Sequence, residues 1–196
     1  MKRNPGIVKS AKITNVSSAG LMFLSGLLLL LFPNLEALPA QRLILCLLFA
    51  LTGAAKLFGY FSNDLYRLAF QFDLSIGIFC ELLAALILFL PESAVPLMPS
   101  LISVYVILDS LLKVQTALDA RRFGMKSWLV MLLSSLVLCG AGGLALSACL
   151  KDFMRVAAAV GIALMADGLE NAFITAYTVR VRARKKNLTE HYGLEE

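Results

Sequence analysis

The chain has 196 residues, 59% of them hydrophobic and only 16% charged, with a formal net charge of +5. Soluble domains average about 45–50% apolar and about 25% charged residues, so a mean hydropathy of +0.81 moves this chain into the membrane class. The length leaves no room for a separate soluble catalytic module. The basic excess lies in short flanks and loops without interleaved aromatics, which argues for topology and headgroup contact and against nucleic acid.

A helix needs about 20 apolar residues, at ~1.5 Å rise each, to cross a ~30 Å hydrocarbon core. In chain order, six segments meet that requirement: 16–32, 40–61, 70–90, 95–117, 127–149 and 153–178. The first follows a short basic start, as a signal peptide would. However, "EALPAQ" at 36–41 lacks a clean A-x-A site and lies late for cleavage, so this segment reads as a mature span. Pro33 and Pro39 bracket the first turn, Pro91, Pro96 and Pro99 mark the third, and Gly124 sits in the fourth. No series of alternating ten-residue strands suggests a barrel. The expected architecture is all-α and polytopic: a flank over 1–15, a transmembrane domain over 16–178, and a basic, polar tail over 179–196.

Lysines and arginines set the expected orientation. Thirteen (Lys2, Arg3, Lys9, Lys12, Arg67, Arg121, Arg122, Lys126, Arg180, Arg182, Arg184, Lys185 and Lys186) fall on one side, and three (Arg42, Lys151 and Arg155) on the other. This positive-inside bias predicts cytoplasmic N and C termini. The tail "VRVRARKKN" at 179–187 is suited to continue the sixth helix and to meet anionic lipid. Tyr60, Phe61, Tyr66, Trp128 and Tyr177 read as interface anchors near the same rim.

The chain also repeats itself at a period near 58 residues. Pro33 in "LLFPNLEAL" matches Pro91 in "LFLPESAVPL", and "LTGAAKLF" (51–58), "LDSLLKVQ" (108–115) and "ADGLENAF" (166–173) align at steps of 57 and 58. The alignment equates Thr52, Asp109 and Asp167, and likewise Lys56, Lys113 and Asn171. It predicts three parallel helical hairpins, over 16–61, 70–117 and 127–178, unlike the inverted repeats of many carriers. Chance similarity among leucine-rich helices is the competing account.

Three such hairpins carry "G-x5-LFP" at Gly26–Pro33, "LP-E" at 90–92 and "RRFGMKSWLVMLLSSLVLCGAGGLAL" at 121–146. On these motifs, residues 16–178 resemble the HdeD family, small bacterial inner-membrane proteins built from a short repeat and linked to acid resistance. The basic-Gly-Trp entry to the fifth span (Arg121, Arg122, Gly124, Trp128) is the most specific piece. The fifth span departs from the pattern of the first two repeats in lacking a proline at its outer end. The resemblance implies a stress role in the inner membrane and transfers no catalytic residues.

Seven ionisable residues lie in or at the edge of the expected spans: Lys56, Asp73, Glu81, Asp109, Lys113, Asp167 and Glu170. Each costs a few kcal/mol at the bilayer centre, so such groups turn inward. Asp109 and Lys113 are i,i+4 and can pair within one helix. Asp167, Glu170 and Asn171 follow i,i+3,i+4, and Asp73, Gly77 and Glu81 follow i,i+4,i+8. A polar layer is expected where the three even-numbered helices, with the third, come together on the cytoplasmic half. One reading is structural, with ion pairs holding the bundle and the two lysines snorkelling to the interface. The other is a proton-responsive or solute-binding vestibule, because five acids against two lysines leave a surplus of negative charge and some acids are then expected to take up protons. A channel or carrier for protons or a small solute is the corresponding alternative function.

Other chemistries find little support. The four cysteines, Cys46, Cys80, Cys139 and Cys149, show no CxxC or Cys/His spacing, so neither a metal site nor a disulfide framework is expected. The single histidine, His191, lies in the polar tail, so nucleophilic triads have no base in the membrane body. No cofactor is implied, and the protein is expected not to be an enzyme. Small-xxx-small steps at Ala157/Gly161, Ala159/Ala163 and Ala172/Ala176, and glycines 140, 142 and 143, suit close helix packing or a homo-oligomer interface.

Overall fold

The computed structural model describes the backbone over residues 5–32, 39–61, 72–122, 124–149 and 153–192, and side chains over 13–32, 42–60, 72–122, 124–149 and 156–175. Six α-helices form: α1 (Pro5–Leu31), α2 (Pro39–Phe61), α3 (Asp73–Phe89), α4 (Met98–Arg122), α5 (Trp128–Ala148) and α6 (Phe153–Tyr192), with no strand among the described residues. Five stretches are long and apolar enough to cross a membrane: Ile13–Leu31, Arg42–Tyr60, Glu92–Arg122, Trp128–Ala148 and Val156–Thr175. The chain is therefore a multi-pass helical membrane protein. The expected third span, 70–90, shows α3 from Asp73 to Phe89, 17 residues, at the lower limit for a span. Pro33, Tyr66 and Arg67 lie outside the described residues, as do the side chains of Tyr177 and the tail, although the α6 backbone continues to Tyr192.

Helix ends follow local chemistry. Leu90 and Pro91 are extended and lead into a 3-10 turn, Glu92–Leu97, which holds Pro96, while Pro99 falls in the first turn of α4, where its missing N–H costs nothing. At the other end of α4, Gly124 takes φ 71°, its N–H bonds to the Arg121 carbonyl at 2.9 Å, and the Met125 N–H bonds to Ala120 at 3.0 Å. This is a Schellman stop, and the left-handed position favours glycine. The α3 terminus is closed from outside. Arg42 of α2 donates from Nε to the Ile87 carbonyl at 2.6 Å and from Nη2 to Leu88 at 2.8 Å, and Nη2 also reaches Leu90. One guanidinium thus satisfies carbonyls orphaned at a helix end and sets positive charge against the negative end of its dipole.

The closest helix pairs are α1 with α6, α4 with α5, and α2 with α3, followed by α1 with α2. Helices α3 and α4, adjacent in sequence, touch far less. Glycines decide the close approaches. A Cβ on Gly168 would lie 2.7 Å from the Ala19 carbonyl and 2.8 Å from the Phe23 nitrogen, and one on Gly161 would lie 2.7 Å from the Gly26 carbonyl. On α5, Gly142 packs against Val106 and Ile107 of α4, whereas Gly140 and Gly143 have nothing within 4 Å of an added Cβ. Of the three α5 glycines, Gly142 alone packs closely against another helix among the described residues.

The core between the helices is apolar, with Met22, Leu29, Leu45, Phe49, Ile87, Met98 and Ile102 fully buried. Tyr105 stands among them, edge-on to Phe49 at 5.6 Å and stacked on Phe79 at 6.1 Å. Buried hydroxyls are satisfied by the preceding turn of their own helix: Ser25 on Leu21, Thr52 on Leu48, Ser103 on Pro99 and Ser110 on Val106. This back-bonding allows an intramembrane helix to carry serine or threonine without a partner elsewhere.

Packing generates a contrast. Gly168→Ala is expected to push α6 off α1 and to lower stability in detergent by about 1–3 kcal/mol. Gly140→Ala, facing open space, is expected to be neutral or to stabilise by up to ~1 kcal/mol through helix propensity. Thermal unfolding of the two variants beside the parent checks both.

Candidate functional site: a buried charged layer

All but one of the eight polar residues singled out in the sequence are buried: Lys56, Asp73, Asp109, Lys113, Asp167, Glu170 and Asn171. They form two clusters. In the first, Lys56, near the end of α2, donates to Asp73 Oδ1 at 3.3 Å, and Asp73 opens α3. A cation close to a helix C-terminus thus faces an anion at a helix N-terminus, the arrangement both dipoles favour.

The second cluster centres on the ammonium of Lys113. Asp109 Oδ2 lies 2.7 Å from it, one turn back on α4, and Glu170 Oε2 of α6 lies at 3.5 Å. Asp167 of α6 accepts a hydrogen bond from the same ammonium. Asn171 Nδ2 donates to the other Asp167 oxygen at 3.3 Å, as their i,i+4 spacing predicts. Three carboxylates from two helices thus converge on one cation. Glu170 is held from its far side as well, since Ser134 and Ser135 of α5 donate to its Oε1 at 2.6 and 2.8 Å. Charge-assisted bonds of this kind are about twice as strong as neutral ones, which compensates part of the desolvation.

The expected layer of three even helices plus the third is therefore rearranged. Among the described residues, α4 and α6 meet directly, but α2 contributes through Lys56 to α3 and joins the second cluster only across a cavity. The cavity, about 30 Å³, is lined by residues of both clusters, including Lys56, Asp73, Asp109, Lys113 and Asn171. Glu81 stands apart. It is partly exposed, makes no ion pair among the described residues, and lies against the Gly53 site on α2. The Asp73, Gly77, Glu81 stripe runs along α2, with Gly77 facing Gly53 and Leu57, so the slow drift of i,i+4,i+8 positions follows a neighbouring helix and does not enter the second cluster.

Sequence reading missed three participants. Ser134 and Ser135 are a Ser-Ser pair in an otherwise apolar span, and that pairing is their signal in the sequence. Asn15, just before the expected first span, donates to Thr175 Oγ1 at 2.9 Å and so ties α1 to α6 beside the charged layer. Nothing short of the fold links positions 15 and 175. At the rim, the Arg121 guanidinium lies 4.8 Å from the Trp128 ring centroid, where a cation–π contact joins the end of α4 to the start of α5.

A family model described as a short repeat of unknown function (DUF308), the family to which HdeD-like proteins belong, matches residues 75–147. No curated protein and no solved structure matches the chain. The matched segment runs from α3 through α5 and contains Asp109, Lys113, Ser134 and Ser135.

Removing the central cation tests the cluster. Lys113→Met leaves uncompensated buried carboxylates and is expected to destabilise the protein by about 3–5 kcal/mol. Adding Asp109→Asn and Asp167→Asn to that variant is expected to recover part of the loss, since the stranded charge is removed. Thermal unfolding of the single and triple variants measures that non-additivity.

Proposed function

We propose that the protein is a non-enzymatic, HdeD-like inner-membrane protein whose buried charged layer responds to protonation, in keeping with a role in acid stress. The observation that carries this reading is the convergence of Asp109, Asp167 and Glu170 on Lys113. With Asp73 and Lys56 included, four carboxylates face two ammonium groups in the buried layer. Such a surplus is tolerated in a low-dielectric interior only with a proton or another cation present. Protonation would cancel repulsion among acids on α4 and α6 and weaken their hold on Lys113, and packing between those helices would change with it.

The architecture proposed with this function is six spans in three hairpin repeats. The repeat is supported by a regular packing pattern between hairpins, in which α2 with α3, α4 with α5, and α6 with α1 each join an even helix to the next odd one, although α3 and α4 touch little within theirs. The equated residues Thr52, Asp109 and Asp167 are all buried, as are Lys56, Lys113 and Asn171. Helix α3, with 17 residues, serves as the short span. The basic bias supports cytoplasmic termini, and the charge of Arg121, Arg122 and the 179–187 segment suits anionic headgroups. The polar groups of the layer bond one another, which supports a non-catalytic role.

The single tryptophan, Trp128, begins α5 and reports on this rim. In lipid nanodiscs its emission is expected to shift between neutral pH and about pH 4, through the ordinary carboxylate range. The shift is expected to vanish in the Asp109→Asn/Asp167→Asn variant. A full pH response in that variant would end the reading, and pH-gated flux in proteoliposomes would replace it with a transport function.

A further inference from the structure

The charged layer is not close-packed. The ~30 Å³ cavity beside it draws its lining from five helices, through Asn15, Lys56, Asp73, Asp109, Thr116 and Asn171. By this measure a water molecule needs about 10–15 Å³ and two to four polar partners, so the space holds about two waters. It is far below the ~300 Å³ at which pockets for organic ligands begin. Groups of both kinds line it, Lys56 and Lys113 as donors and Asp73 and Asp109 as acceptors, which suits a small molecule able both to donate and to accept. Asp109 Oδ2, buried and 2.7 Å from the Lys113 ammonium, has a second lone pair that such a molecule can use.

The cavity lies toward one end of the bundle. Asn15 precedes most of the apolar part of α1, Thr116 lies in the last turns of α4, and Asp73 opens α3. Toward the other end, Met22, Leu29, Leu45, Ile87, Met98 and Ile102 fill the core at no more than 1% exposure. The hydroxyls of Ser25 and Ser103 in that half are turned back onto Leu21 and Pro99 of their own helices. The buried hydroxyl of Tyr105, one turn from Asp109 on α4, stands at the start of that half, between the rings of Phe49 and Phe79.

We propose that this cavity is an internal hydration site open to one face of the membrane only, where water reaches Asp109 and Asp73 and stops at an apolar plug. The proposal deepens the protonation reading and rests on it for its purpose, since the site would deliver protons from the Asn15 and Thr116 end. The hydration itself is measured separately.

Radiolytic hydroxyl-radical footprinting of the full chain in nanodiscs, mapped by mass spectrometry, detects water at individual side chains. Leu112 and Ile174, which line the cavity, are expected to be oxidised, while Met22 in the plug, though intrinsically more reactive, is expected to stay unmodified. In a Thr116→Leu variant, which fills the space, modification at Leu112 and Ile174 is expected to be lost while the folded helix content remains. In vesicles, a small impermeant thiol reagent is expected to label Thr116→Cys from one side and native Cys80, fully buried, from neither. Protection of Leu112 and Ile174 in the parent protein would overturn the proposal, as would oxidation of Met22 or labelling of Cys80. The protonation reading fails on a different result, a persistent Trp128 response in the Asp109→Asn/Asp167→Asn variant, so the two failures are distinguishable.

Discussion

The ammonium of Lys113 sits among three carboxylates, and the arrangement of α4, α5 and α6 depends on that contact. An unpaired charge in a hydrocarbon interior costs several kcal/mol, and lipid supplies no partner. Asp109 is within reach along the same helix, but Asp167 and Glu170 are not unless α6 lies against α4 at one particular height and rotation. Helices α4 and α6 share a limited contact elsewhere. The charges therefore set their register where apolar surface, interchangeable with lipid, sets little.

The rest of the bundle accommodates that constraint. Helix α5 packs tightly on α4 through Gly142 and presents Ser134 and Ser135 to the far side of Glu170. Helix α1 closes on α6 through Gly26, Gly161 and Gly168, and Asn15 bonds Thr175 at the edge of the layer. Helices α2 and α3 form a second unit, bound at one end by Lys56 and Asp73 and at the other by Arg42 over the α3 carbonyls. Electrostatic partners at both ends and glycines between them give this pair a defined register too.

Much of this was legible in the sequence for identifiable reasons. Apolar length marks spans because backbone groups in lipid must bond within the helix, and the described helices fall where the runs fall. The i,i+4 pairs, Asp109 with Lys113 and Asp167 with Asn171, are fixed by helical geometry alone and were readable without a fold. Glu81 shows where that local geometry stops. Spacing places it on the stripe of Asp73, but which neighbour that stripe meets depends on packing, and the neighbour is α2. Ser134, Ser135 and Asn15 were passed over because a serine or asparagine in or beside an apolar helix most often bonds its own backbone, and only a facing carboxylate or hydroxyl gives it another task.

The sequence by itself determined that the chain lives in a membrane, that it is helical, and that its charges turn away from lipid, since these follow from transfer free energies and helical periodicity summed over local stretches. Only the tertiary structure decided which charges meet. It divided one expected layer into two clusters with a water-sized cavity between them and tied α1 to α6 across the length of the chain. The physical reason is that pairing between helices depends on relative height and rotation to within a few ångströms, and residues far apart in sequence settle those jointly.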